Sequence, residues 1–146
     1  MKPIQRWLPT ALRILLGLVF FVFGLNGFLQ FIPPPPIPDS GQAFLGALVT
    51  TGYMIPLIKG TEVICSLLLL SNRFVPLALV ILAPINVNIF LFHSVLAPAG
   101  LPIGILLVAL EISLAWAHRA AFRPLFAARA AAAEPEWSEQ AVRSAT

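Results

Sequence analysis

The chain has 146 residues, 59 % of them hydrophobic and only 10 % charged, with a mean hydropathy of +0.92; a soluble domain of this length has no core large enough to hide so much apolar surface. The net charge of +3 does not point to nucleic acid, because the nine basic residues are dispersed and no basic stripe interleaves with aromatics. A single cysteine, Cys65, lies within an apolar run, which excludes an internal disulfide and dithiol redox chemistry within the chain.

The first apolar segment runs from about Ala11 to Ile32, enough at about 1.5 Å per residue to cross a hydrocarbon core of about 30 Å. Lys2 and Arg6 precede it in the manner of a signal peptide, but no small-x-small cleavage pattern follows, so it reads as a retained first span. The run Pro33 to Pro36 is expected to stop it, since proline lacks the amide donor and restrains the residue before it. Asp39 and Ser40 are placed to cap a short interfacial or re-entrant helix from Gly41 to about Thr51, with Phe44, Leu45, Leu48 and Val49 on one face.

Gly52 ends that element, and a short second span follows from about Ile55 to Leu70, with Pro56 in its first turn and Tyr53 and Met54 available to lengthen it. Asn72 and Arg73 connect to a third span, Phe74 to about His93, in which Pro84 is expected to make a kink. Pro98, Gly100 and Pro102 break the chain before a fourth span, Leu101 to about Ala117. The remainder is an Ala-, Arg- and Glu-rich tail, expected to be a frayed helix or disordered. The fold class is therefore all-α: an integral membrane four-helix bundle with a short extra helix between spans one and two, divided into an N-terminus (1–10), a four-span domain (11–118) and a C-terminal tail (119–146).

Orientation follows from the basic residues, which hold short loops in the cytoplasm. Lys2, Arg6 and Arg13 flank the start of span one, Arg73 separates spans two and three, and Arg119, Arg123 and Arg129 follow span four. The two other loops, Ile32 to Met54 and Ser94 to Gly100, hold no Lys or Arg. Both termini are expected in the cytoplasm, with Trp7 and Trp116 near that interface.

Polar groups within the spans are the candidates for function. At a helix centre an acid or lysine costs roughly 2.5 to 3.5 kcal/mol, so Lys59 and Glu62 cancel most of the insertion energy of span two. Counted from the helix ends, Glu62 lies about 10 Å below the outer boundary and Asn86 and Asn88 about 18 to 21 Å from the inner one, which is the same level. Asn26 comes to a similar height, Gln30 and His93 lie nearer the outer surface, and Glu111 sits near the middle of span four. At about 100° per residue, Lys59, Glu62 and Ser66 share a face, Asn86 and His93 share another, Asn26 aligns with Gln30, and Asn88 points away from Asn86 unless the Pro84 kink alters the phase. These positions assemble a polar cluster of Asn26, Lys59, Glu62, Asn86 and His93 in the outer half of the bundle, with Glu111 as a secondary candidate.

Each residue also has a structural explanation. Lys59 and Glu62 at i, i+3 make an internal ion pair; asparagines bridge helices; His93 is an interfacial residue; Cys65 packs as a small side chain; and Glu111 is protonated or paired. Gly17, Gly24 and Gly27 form a stripe for close helix packing. No metal-ligand spacing, phosphate loop or nucleophile triad is present.

The stretches Arg13 to Asn26, Thr51 to Leu70 (with Gly-Tyr, Pro, Lys and Glu in order) and Asn86-Val-Asn-Ile-Phe-Leu-Phe-His93 resemble the DoxX family of small four-span bacterial membrane proteins. The resemblance covers roughly Arg13 to Phe126. It implies a multi-pass protein of the bacterial inner membrane and a link to redox chemistry, since the family is named after membrane subunits associated with a thiosulfate:quinone oxidoreductase. Lys59, Glu62, Asn86 and His93 match its polar pattern. The expected role is a redox-associated membrane subunit, at most accessory to an oxidoreductase, whose outer-half cluster binds a quinone-like or small polar ligand and which works with redox partner proteins in the lipid bilayer. The alternatives are a non-catalytic assembly protein, with the cluster as internal glue, and a small-solute transporter, which the nearly apolar inner half disfavours.

Overall fold

The computed structural model describes residues 3–128, with side chains from residue 7 onward; Lys2, Arg129 and the tail from residue 129 lie outside the described residues. All regular structure among them is helical. Helices α1 (Pro3–Leu29), α3 (Met54–Leu70), α4 (Val75–Leu91) and α5 (Leu101–Ala117) form the bundle, α2 (Asp39–Thr50) lies between the first two, and a short α6 (Arg119–Phe122) follows the last. The pairs α1 with α3, α3 with α4, α4 with α5 and α5 with α1 all pack together, so the four long helices close into a ring.

The ring core is a band of apolar side chains, among them Leu16, Phe20, Leu69, Leu82 and Leu114. Outside it, large apolar residues such as Ile64, Leu77, Val87, Ile105 and Ile112 are exposed all round the bundle. Contiguous apolar surface of that extent is tolerated in lipid and not in water. Three helical segments are long and apolar enough to span a membrane by themselves, and α2 with α3 form a fourth, bent pair at 91°. With 17 residues, α3 reaches about 25 Å, a short span that α2 joins nearly at right angles.

Several boundaries follow the sequence expectation: α3 takes in Met54 with Pro56 in its first turn, and α5 runs from Leu101 to Ala117. Others are corrected. Span one ends at Leu29 before the prolines act, because Gln30 turns to φ 50° and the Asn26 side chain captures the next stretch of backbone: Ile32 N donates to Asn26 Oδ1 at 2.6 Å and Asn26 Nδ2 donates to Ile32 O at 3.4 Å. In α2, Asp39 and Ser40 are inside the first turn and not caps; Pro38 holds the cap position without a side-chain bond, and Asp39 instead complements the helix dipole. Gly52, at φ 76°, supplies the left-handed turn between α2 and α3 that a Cβ would resist. Helix α4 is continuous through Pro84 and then widens into a π-turn over Phe92–Leu96, sealed by Ala97 N donating to Phe92 O at 3.0 Å, an extra-residue turn that hydropathy does not reveal.

Arg13 is corrected most clearly. Read as a flanking charge, it is well inside α1 and only 8 % exposed, where its guanidinium donates to the carbonyls of Leu69 and, at 3.2 Å, Leu70. Those carbonyls end α3, where Leu69 O also accepts from Asn72 N at 3.1 Å, and a cation there adds a charged donor and complements the helix dipole.

Candidate functional site

The glycine stripe of α1 sets the geometry on which the polar side chains depend. A Cβ on Gly24 would meet Val63 Cγ2 at 2.9 Å and Glu62 Cβ at 3.2 Å, and one on Gly27 would overlap the stem of Lys59. Without side chains at these positions, α1 closes on α3 and the lysine's methylenes lie directly on the α1 backbone. The ammonium is thereby returned toward its own helix, where Lys59 Nζ donates to both carboxylate oxygens of Glu62, at 3.0 and 2.9 Å. The Glu62 side chain is 2 % exposed and that of Lys59 26 %, so the pair is buried at the acid and open at the base.

Two cavities meet at this pair. One, of about 310 Å³, lies between α2, α3 and α4, with Phe44, Leu45 and Leu48 of α2 as one wall and Asn88 among the few polar groups in it. The other, of about 180 Å³, lies within the ring between Phe20 and Phe23 of α1 and Ile103 and Leu107 of α5. Lys59, Glu62, Ile89 and His93 line both, and therefore form the partition between them. Phe44 stacks at a tilt on Phe92 with ring centres 5.7 Å apart, which fixes α2 over the first cavity. Val49, expected on the same face, is exposed and is not part of that wall.

His93 is the first-turn residue of the π segment. Its Nδ1 lies 3.2 Å from Ala97 O, and its ring packs where a side chain on residue 100 would stand, so Gly100 makes room for it. In the tautomer that uses the Ala97 contact, Nδ1–H donates and Nε2 is left as an acceptor. The arrangement thus offers a cationic donor, a carboxylate and an imidazole acceptor within otherwise apolar walls.

The other sequence candidates are placed elsewhere. Asn26 makes two bonds to Ile32 and lines neither cavity beside Lys59. Asn86 continues the buried stripe of α4 formed by Val75, Ala78, Leu79 and Leu82, and its Nδ2 donates to Glu111 Oε2 on α5. It lines neither cavity beside Lys59. Asn88, set aside on helical phase, is on the wall of the first cavity; exposure of an amide midway along an apolar span was the available signal. Cys65 and Ser66 are buried, the serine bonded to Val63 O at 2.7 Å. No cluster of His, Cys, Asp or Glu among the described residues has the geometry to hold a metal ion.

Comparison with known proteins adds the family. The model of the DoxX family matches residues 8–94. The chain is also 30 % identical over 132 residues to the uncharacterized protein YwoB of Bacillus subtilis (strain 168), covering 86 % of each sequence. No solved structure matches it.

Proposed function

From the premise that this chain belongs to the DoxX family of membrane proteins, we propose that it is a redox-associated membrane subunit whose ligand, a quinone-like or small polar molecule, binds in the cavities beside Lys59 and Glu62. The observation that carries this reading is the partition formed by Lys59, Glu62 and His93, three groups of different proton chemistry facing two apolar cavities at one end of the ring. A ligand carbonyl takes a hydrogen bond from the Lys59 ammonium, which has a third N–H beyond the two given to Glu62. A ligand hydroxyl donates to His93 Nε2 or Asn88. Glu62 is the proton-exchanging group, and Lys59 stabilises its charged form through the salt bridge. Electrons come from a partner protein. The apolar walls suit a ligand that arrives through the bilayer.

The positive charges support a location in the bacterial inner membrane with both termini in the cytoplasm. Arg73 and Arg119 lie at the end of the ring opposite α2, and Arg13 reaches the same end of α3. The α2 end, with the proposed site, then faces away from the cytoplasm. Reporter fusions at the Ser71–Phe74 connection and after Ala117 should report the cytoplasmic side; the opposite result reverses the orientation.

The test of the ligand is direct. Protein purified in native lipid should carry extractable isoprenoid quinone and bind a short-chain quinone, and Glu62→Gln, with helicity unchanged, should weaken that binding by about tenfold through loss of a charged hydrogen-bonding partner. Absence of quinone together with unchanged binding in Glu62→Gln rejects the reading and leaves the Lys59–Glu62 pair as internal glue.

A further inference from the structure

A third cavity, of about 640 Å³, lies between α4 and α5 and extends to the short helical segments after α5. It shares no lining residue with the two cavities beside Lys59. Its walls are mainly apolar, with Val80, Ala83, Val108 and Ile112 among them, and its polar floor is the Asn86–Glu111 pair. That pair is incomplete. Asn86 is 1 % exposed and Glu111 9 %, yet Asn86 Oδ1 and Glu111 Oε1 have no hydrogen-bond partner. Two orphaned polar atoms in an apolar wall each carry an uncompensated desolvation cost, which a hydrogen-bonding ligand relieves.

The chemistry of that donor is restricted. Arg119 and Arg123 line the same groove and repel a cation, while Glu111 disfavours an anion on the floor. A carbonyl group offers nothing to Asn86 Oδ1. A hydroxyl has one proton to give and lone pairs to receive with, so it completes both groups when Glu111 carries its proton, donating to Asn86 Oδ1 while accepting from Glu111; with Glu111 ionised it satisfies one of the two acceptors. We propose that the groove between α4 and α5 binds a neutral, membrane-dissolved molecule with an apolar body and a hydroxyl group, seated with the hydroxyl on Asn86 Oδ1 and Glu111 Oε1. The body lies along the groove toward Trp116 and Phe122, and it enters from lipid, since the neighbouring Val87 and Ile112 face outward.

The experiment uses the full chain in lipid nanodiscs and two photoreactive probes, a 4-alkylphenol with a diazirine in its chain and the methyl ether of the same molecule. The ether keeps the apolar body and loses the donor. The phenol should label peptides of α4 and α5 at about tenfold lower concentration than the ether, the value of one hydrogen bond to a charged or buried acceptor. Ala83→Phe, which fills the groove and leaves both acceptors in place, should abolish the labelling, and Asn86→Leu combined with Glu111→Leu should remove the preference for the phenol. Equal labelling of the unmodified protein by phenol and ether, as expected of a lipid-facing surface with water on the polar pair, overturns the proposal. Persistence of the preference in Ala83→Phe does so as well. A short-chain quinone should leave this labelling unchanged, which keeps the outcome independent of the site beside Lys59.

Discussion

Glu62 and Glu111 are both buried carboxyl groups on helices of one bundle, and the protein treats them differently. Glu62 receives two bonds from a lysine on its own helix and sits where two cavities meet. Glu111 receives one bond from a neutral amide on another helix and keeps an orphaned oxygen. An ion pair at i, i+3 has both partners on one helix, and α1 has only to seat the lysine stem against it. A carboxyl group met by an amide from the neighbouring helix acquires its partner only on assembly, and the amide cannot cancel a full charge. The first arrangement is satisfied without a ligand; the second is not.

The largest effect that separates them is expected at Lys59. Lys59→Met leaves Glu62 buried without its cation and should destabilise the bundle by about 3 kcal/mol in a detergent unfolding titration, whereas Lys59→Met combined with Glu62→Leu should recover most of that loss. If the single and double variants unfold alike, Glu62 is not held by charge and the contrast with Glu111 fails. Next comes the packing that presents the lysine. Gly27→Val should cost about 2 kcal/mol by overpacking α1 on the Lys59 stem, and an unchanged midpoint would mean that α1 does not fix the lysine. The smallest effect belongs to Glu111→Gln. It keeps an acceptor for Asn86 Nδ2 and removes no opposite charge, so stability should change by less than about 1 kcal/mol; a loss as large as that of Lys59→Met would show that Glu111 is paired as an anion.

Much of the bundle was legible in the sequence because lipid imposes simple rules. Span lengths, the break at Gly52, the glycine stripe and the Lys59–Glu62 pair all depend on residues close in sequence, where a 3.6-residue period relates them. The Asn86–Glu111 bond joins residues on different helices, and no local pattern announces it. Counting depth placed Asn86 level with Glu62, but level is not contact: Asn86 lies on the buried stripe that meets α5. Arg13 was misread for the converse reason. A basic residue near a span end looks like a flanking charge, until the neighbouring helix is found to end beside it and to offer its last carbonyls to the guanidinium. Asn26 was placed with the polar cluster on depth, and the structure shows its amide closing the turn at Ile32.

The sequence by itself determined that this protein is a helical bundle of the membrane, with its spans and the intrahelical Lys59–Glu62 pair, because hydrophobic length and i, i+3 spacing act within single segments. Only the tertiary structure decided which helices are neighbours in the ring. That choice divided the polar residues into a charged partition between two cavities and a separate, half-satisfied acid and amide facing a third, since the partner of a buried polar group is set by the helix packed against it.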